Sequence, residues 1–100
     1  MKSINDLVKE VYENAKDKGW HEQPRSALEI HMLIVSEIAE ATEAVRNNIA
    51  PMMYDESGKP EGEIIELADA VIRIMEYFGS KGWDLENAIS IKHDYNKRRC

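Results

Sequence analysis

Apolar residues recur along much of the chain at intervals of three and four, the spacing that places them on one face of an α-helix. The first such stretch predicts a helix from about Ser3 to Lys18. The second predicts a helix from Ser26 to Asn47 or Asn48, because Ser26 and Glu29 form a Ser-x-x-Glu capping box at its start. Pro51 lies just beyond, where it cannot continue the helix.

Two further helices are predicted in the second half of the chain. One runs from about Pro60, which suits a first helical turn, to Phe78, with Gly79 and Gly82 at its end. Apolar side chains cover most of its circumference, so we expect it to be central and buried on nearly every side. The fourth helix begins after Asp84, a favourable N-cap residue, and continues to the C-terminus.

The sequence lacks the usual signals of a β-sheet. No segment alternates convincingly between apolar and polar residues, and no Asn-Gly or Asp-Gly dipeptide indicates a hairpin. We therefore predict an all-α fold, a four-helix bundle in which residues 1–100 form one domain. Its longest loop, residues 47–60, contains Met52, Met53 and Tyr54, which we expect to pack on the domain; a lid or a subunit contact is the alternative.

Composition narrows the classes of function. With 43% hydrophobic and 32% charged residues, the chain is too apolar to be disordered. Its 19 acidic residues exceed its 13 basic ones, and the net charge of −6 argues against binding to a nucleic acid polymer. No apolar run approaches the length of a membrane span, and the polar N-terminus lacks the apolar segment of a signal peptide. Because the single cysteine, Cys100, permits no intrachain disulfide, we expect a cytoplasmic protein.

Two acidic pairs lie on the predicted second and third helices: Glu37 with Glu40, and Glu66 with Asp69. Residues three apart project from the same helix face, so facing helices would bring four carboxylates together. Four like charges at close range require a compensating cation. Because oxygen ligands favour hard ions, Mg²⁺ is the expected cofactor and Mn²⁺ a possible substitute.

A solvated polar stripe is the alternative interpretation of the same acids. Glu66, Asp69 and Arg73 share one stripe of the third helix, and Glu40 lies on a comparable stripe of the second. Glu37 departs from that stripe by about 80° toward apolar neighbours, which a solvated face does not require. The sequence contains no Glu-x-x-His, His-Glu-x-x-His or Gly-x-x-x-x-Gly-Lys, which argues against di-iron, zinc-protease and phosphate-loop chemistry.

A second polar group lies near the C-terminus. Lys92, Asn96 and Arg99 recur at spacings of four and three and therefore share a helix face. Such a set can bind phosphate, since lysine and arginine neutralise phosphate oxygens and asparagine donates a hydrogen bond to one. The alternative is a basic last turn that complements the helix dipole.

Together these motifs resemble those of the MazG-like nucleotide pyrophosphohydrolases, which belong to the all-α NTP pyrophosphatase superfamily. The resemblance covers residues 26–99 and rests on four segments in order: Ser36-Glu37-Ile38-Ala39-Glu40-Ala41, Gly58-Lys59-Pro60-Glu61-Gly62, Glu66-Leu67-Ala68-Asp69-Ala70-Val71-Ile72-Arg73 and Lys92-x-x-x-Asn96-x-x-Arg99. It implies a helical bundle that binds Mg²⁺ and cleaves a (deoxy)nucleoside triphosphate to a monophosphate and pyrophosphate, an activity suited to housecleaning of the nucleotide pool.

The resemblance also implies roles for single residues. Four acids match the family's metal ligands and form the predicted catalytic site: Glu37, Glu40, Glu66 and Asp69. Three residues match the family's phosphate-contacting segment: Lys92, Asn96 and Arg99. Two residues fall where some members contact the base: Trp20 and His21.

Self-association is expected on two grounds. The enzymes that the chain resembles are usually dimers or tetramers. The predicted third helix also has more apolar surface than three other helices of this length can enclose. A catalytically silent helical module, which binds or oligomerises without turnover, is one alternative function, and the four intact acids count against it. A phosphatase that acts on another class of nucleotide is a third interpretation.

Overall fold

The computed structural model describes residues 2–20 and 23–99. Within them the chain forms four α-helices and one short antiparallel ladder, in the order α1 (Ile4–Asp17), α2 (Ala27–Arg46), β1 (Met53–Tyr54), β2 (Pro60–Glu61), α3 (Glu63–Lys81) and α4 (Leu85–Arg98). The prediction of an all-helical protein with four helices is confirmed. None of the described helices is long and apolar enough to span a membrane.

Local capping explains where three of the helices begin. Ser3 and Ser26 each form a full capping box, in which the serine hydroxyl accepts a hydrogen bond from the backbone N–H three residues on. Asp84 caps α4 by accepting a hydrogen bond from the backbone N–H of Asn87 at 2.9 Å. These starts agree with the sequence prediction, because each depends on residues within one helical turn.

The chain divides into two compact units, and the first contains α1, α4 and the part of α3 that begins at Met75. Its core consists of Val8, Met75 and Leu85, with Val11 and Phe78 packed against them. Amphipathic helices are stabilised mainly by burying such apolar faces against one another.

Helix α3 continues past the predicted end at Phe78, and Gly79 lies inside it. A Cβ atom on Gly79 would lie 2.5 Å from the Cβ of Tyr12. Glycine is therefore placed there for the close approach of α1 rather than as a helix terminator. The helix ends at Lys81, and Gly82 follows it with a positive φ of 68°.

The second unit, Pro24–Ile74, contains α2, the ladder and the first part of α3. The prediction that this segment has no strand was wrong, because Met53 pairs with Glu61 and Tyr54 with Pro60. Asp55 closes the turn: its carboxylate accepts hydrogen bonds from the backbone N–H groups of Ser57 at 2.8 Å and Lys59 at 3.0 Å. Pro60 consequently lies in β2, and α3 begins three residues later.

Helix α3 is also less buried than the sequence suggested. The prediction that it is covered on nearly every side was wrong for the single chain, since Ile64, Leu67 and Val71 are all exposed. The loop side chains expected to pack on the domain are exposed as well: Met52, Met53 and Tyr54.

Gly62 fixes the start of α3. It has φ = 112°, and a Cβ there would lie 2.5 Å from the backbone carbonyl oxygens of Ala50 and Pro51. The next turn is tied to the same place, because the backbone N–H of Ile64 donates to Pro51 O at 3.0 Å and that of Glu66 donates to Gly62 O at 3.0 Å. Gly62 thus anchors the turn of α3 from which Glu66 projects.

We predict that Gly62→Ala lowers the free energy of unfolding by about 2 to 5 kcal/mol, because overpacking against backbone adds to the cost of a positive φ. Gly58→Ala is the matched control, since Gly58 has φ = 87° but open space around it. It should lose only about 1 to 2 kcal/mol. Urea unfolding of both variants measures the difference, and equal losses would show that the close approach at Gly62 contributes nothing.

Candidate metal centre

The candidate site is formed by acids on α2 and α3, within the unit Pro24–Ile74. One carboxylate oxygen each from Glu37, Glu40 and Glu66 lies within 4.8 Å of the other two. Helical spacing accounts for the first pair, because residues 37 and 40 share one face of α2. Glu66 reaches the same place from α3, where the Gly62 turn fixes its backbone.

Glu37 is the most buried of these acids, with only 9% of its surface exposed. Its Oε1 accepts a hydrogen bond from Nε–H of Arg73 at 2.9 Å. A carboxylate removed from water is tolerated only when paired, so this contact accounts for a charge on an otherwise apolar helix flank.

The surroundings of Glu66 disfavour its charged form. Burial raises the pKa of Glu66, and a side-chain hydrogen bond with Glu40 raises it further. The negative charges of Glu40, Asp69 and Glu37 act in the same direction. The pKa of Glu66 is thus raised both by burial and by the acids around it.

Asp69 belongs to the same electrostatic environment although it falls outside the closest group of three. Burial raises its pKa, and the charges of Glu37 and Glu40 raise it further. The positive charges of Arg73 and Lys59 oppose that shift. The four predicted acids therefore interact, with Arg73 as a cation in direct contact with one of them.

The sign of these shifts determines how the metal-free fold responds to pH. Folding raises the pKa values of Glu66 and Asp69 above their ordinary values of 4.5 and 3.8. Between the ordinary and the raised pKa of each group, the folded state binds more protons than the unfolded state. The contribution of each group to stability therefore falls as the pH rises from the ordinary to the raised pKa. A bound cation would reverse the effect, since it favours the ionised carboxylates.

The donor set suits a hard divalent cation. Adjacent oxygens of an octahedral Mg²⁺ lie about 3 Å apart and opposite ones about 4.2 Å apart. At least two of the three pairs would be adjacent, so three oxygens within 4.8 Å of one another would move closer together to share such an ion. All the donors are carboxylate oxygens, which suit hard divalent cations such as Mg²⁺, Mn²⁺ and Ca²⁺.

The predicted phosphate-contacting residues lie in the other unit. Lys92 and Asn96 are exposed on α4, and Arg99 is its C-cap residue. The Nζ of Lys92 lies 4.8 Å from the ring centre of Tyr95, and the Cζ of Arg99 lies 5.9 Å from it. The two cations thus share one aromatic ring, and their role toward phosphate stays a prediction from the sequence.

Of the predicted base-contacting residues, Trp20 is 57% exposed. His21 lies outside the described residues, as does Cys100. Arg73 was not predicted to take part in the site, although the sequence contained a signal for it. It lies four residues after Asp69 on the polar stripe of an otherwise apolar helix. At that spacing its side chain shares the helix face of Asp69 and can form a salt bridge with an acid of the site.

Comparisons with protein-family models, with curated proteins and with solved structures find no significant match for this chain. The resemblance to MazG-like enzymes therefore rests on the quoted motifs themselves. The chemistry of the site has to be inferred from its own geometry and charge.

Proposed function

We propose that the chain is a cytoplasmic Mg²⁺-dependent hydrolase that cleaves (deoxy)nucleoside triphosphates to monophosphate and pyrophosphate, as a housecleaning enzyme of the nucleotide pool. The cation is held by Glu37, Glu40, Glu66 and Asp69, and Mn²⁺ can substitute for it. The observation that supports this most is the convergence of three carboxylate oxygens from two helices within 4.8 Å.

Charge explains why such a substrate needs a cation here. A nucleoside triphosphate has about four negative charges at neutral pH, and this chain has a net charge of −6. A divalent cation, when bound, would offset phosphate charge and lower the pKa of a coordinated water. The acidic site and the anionic substrate are compatible only on that condition.

The chain's own residues have three tasks in this reaction. The acids would hold the cation, and the attacking water is activated either by that cation, which would lower its pKa, or by one carboxylate that accepts its proton. Water attacks the α-phosphorus, the bond from that phosphorus to the bridging oxygen breaks, and pyrophosphate leaves with that oxygen. Lys92, Asn96 and Arg99 are the proposed contacts to phosphate oxygens, which offset the charge on the leaving group.

A catalytically silent helical module is the second candidate. The exposed apolar residues of α2 and α3 favour it, because association surfaces are rich in such side chains. Turnover separates the two candidates: a silent module would bind a cation or a second copy without releasing pyrophosphate from any nucleotide.

The first prediction of the proposal concerns turnover. With Mg²⁺, a panel of common ribo- and deoxyribonucleoside triphosphates should include at least one from which the protein releases pyrophosphate, and EDTA should abolish the release. Glu40→Gln and Asp69→Asn should each lower turnover more than about 100-fold, since even the hydrogen-bond partners of metal ligands are worth 10- to 100-fold. Circular dichroism should show both variants folded.

Glu43→Gln is the matched control for these variants. Glu43 is an exposed residue of the same helix, 3.9 Å from Arg46 across a surface ion pair. Its substitution should leave turnover within about twofold of wild type, because an exposed pair contributes little. Equal rates for wild type, Glu40→Gln and Asp69→Asn would contradict the assignment of the acids, and no pyrophosphate from any nucleotide would contradict the enzymatic proposal.

We also propose that the chain associates with itself as a dimer or tetramer. Leu28, Met32 and Val35 recur at helical spacing on α2 and are 75%, 62% and 51% exposed. Such a continuous apolar stripe is unusual on a monomer, and symmetric association is the common way to cover one.

Sedimentation velocity at micromolar concentration should therefore give at least twice the 11.5 kDa of one chain. Met32→Glu should lower the mass toward that of one chain, because it buries a charge in the interface. Ile91→Glu is the control, because Ile91 is 63% exposed, about as much as Met32, but lies on α4. A wild-type mass near 11.5 kDa would rule out the association.

A further inference from the structure

Arg73 makes a contact within the acidic site that the proposed reaction does not use. Its Nε–H donates to Oε1 of Glu37 at 2.9 Å. The arginine side chain is 36% exposed and that of Glu37 only 12%. The bond therefore constrains the least accessible carboxylate of the four, from a residue on the neighbouring helix.

We infer that Arg73 is a positioning residue: it fixes the orientation of the Glu37 carboxylate and so presets that group for a divalent cation. This inference rests on the proposed cation site. A carboxylate has about four acceptor positions, and the bond to Arg73 uses one, so Glu37 keeps the capacity to bind a cation. Partners of this kind commonly orient metal-ligating carboxylates.

The position of the donor atom matters more than the charge. In arginine, Nε is the fourth side-chain atom from the backbone. Lysine keeps the positive charge but has a methylene carbon at that position. Glutamine loses the charge but has an amide nitrogen there, which can donate the same hydrogen bond to Glu37.

The lysine and glutamine variants therefore distinguish a positioning role of Arg73 from a role in charge balance. Arg73→Lys should weaken Mn²⁺ binding about 10-fold, because its donor lies one atom further out on a flexible chain and no longer holds Oε1 of Glu37 in one orientation. Arg73→Gln should bind Mn²⁺ within about 3-fold of wild type or more tightly, because the bond is kept and a repelling positive charge is removed. If Arg73 acted only as a counter-charge to the acids, the lysine variant would match wild type.

Electron paramagnetic resonance of free Mn²⁺, in titrations without nucleotide, measures the dissociation constants directly. Arg46→Lys is the matched control, because Arg46 forms an exposed pair with Glu43 at 3.9 Å and is 74% exposed. It should leave Mn²⁺ affinity unchanged. The double variant Glu37→Ala with Arg73→Lys adds a second readout. Its Mn²⁺ affinity should equal that of Glu37→Ala alone, since Arg73 acts through Glu37.

The Mn²⁺ affinities of these variants test the positioning role of Arg73. Arg73→Lys binding Mn²⁺ as wild type does, or Lys and Gln weakening it equally, would overturn the positioning role while leaving the cation site intact. A wild-type chain that binds no Mn²⁺ would overturn the proposed function together with this inference. Should the lysine variant prove unfolded by circular dichroism, a folded Arg73→Gln variant that binds Mn²⁺ more than 10-fold more weakly than wild type would also refute the role.

Discussion

Repulsion among carboxylates is the physical constraint on which the candidate site of α2 and α3 depends. One carboxylate oxygen each of Glu37, Glu40 and Glu66 lies within 4.8 Å of the other two. The negative charges of Glu37 and Glu40 also raise the pKa of Asp69. Partial burial strengthens the repulsion, because fewer water molecules separate the charges. Such a group gains no stability in isolation, and a cation bound among these acids, as proposed above, would relieve their repulsion.

The helices around this group are fixed by ordinary local chemistry. Capping at Ser26 starts α2, and the close approach of Gly62 to Ala50 and Pro51 starts α3. These features determine where each helix begins, and the acids of the candidate site lie on those two helices rather than on a loop. Arg73 supplies the compensating positive charge that contacts Glu37 directly. Of the acids in the candidate site, Glu37 is thus held by a side-chain contact from α3.

The sequence predicted what depends on neighbours in the chain. Helix starts at Ser3, Ser26 and Asp84 follow from residues within one turn, and the acidic pairs follow from helical spacing alone. What it missed depends on distant contacts. Gly79 lies inside α3 because Tyr12 packs against it, a contact that helix propensity cannot reveal.

The remaining differences have the same origin. The ladder at Met53–Tyr54 is closed by a turn in which the Asp55 carboxylate accepts backbone hydrogen bonds. The glycine of that turn, Gly58, follows Ser57 rather than the asparagine or aspartate of the usual hairpin dipeptides. Ile64 on α3 is exposed in the single chain. An apolar pattern predicts that such a residue is covered, but it does not say whether the same chain or another copy covers it. Likewise, helical spacing places Arg73 on the same face of α3 as Asp69, but it does not identify Glu37 on α2 as the partner of Arg73.

The most direct measurement of the central claim is the melting temperature of the protein with and without Mg²⁺ at two pH values. At pH 7.5, Mg²⁺ at ten times its dissociation constant should stabilise the fold by about 1.4 kcal/mol, or about 5 to 10 °C, relative to NaCl of the same ionic strength. At pH 5 the same addition should raise the melting temperature less, because protons compete for the carboxylates. No increase over the NaCl control at pH 7.5, at any Mg²⁺ concentration up to tens of millimolar, would contradict the claim that these acids form a cation site.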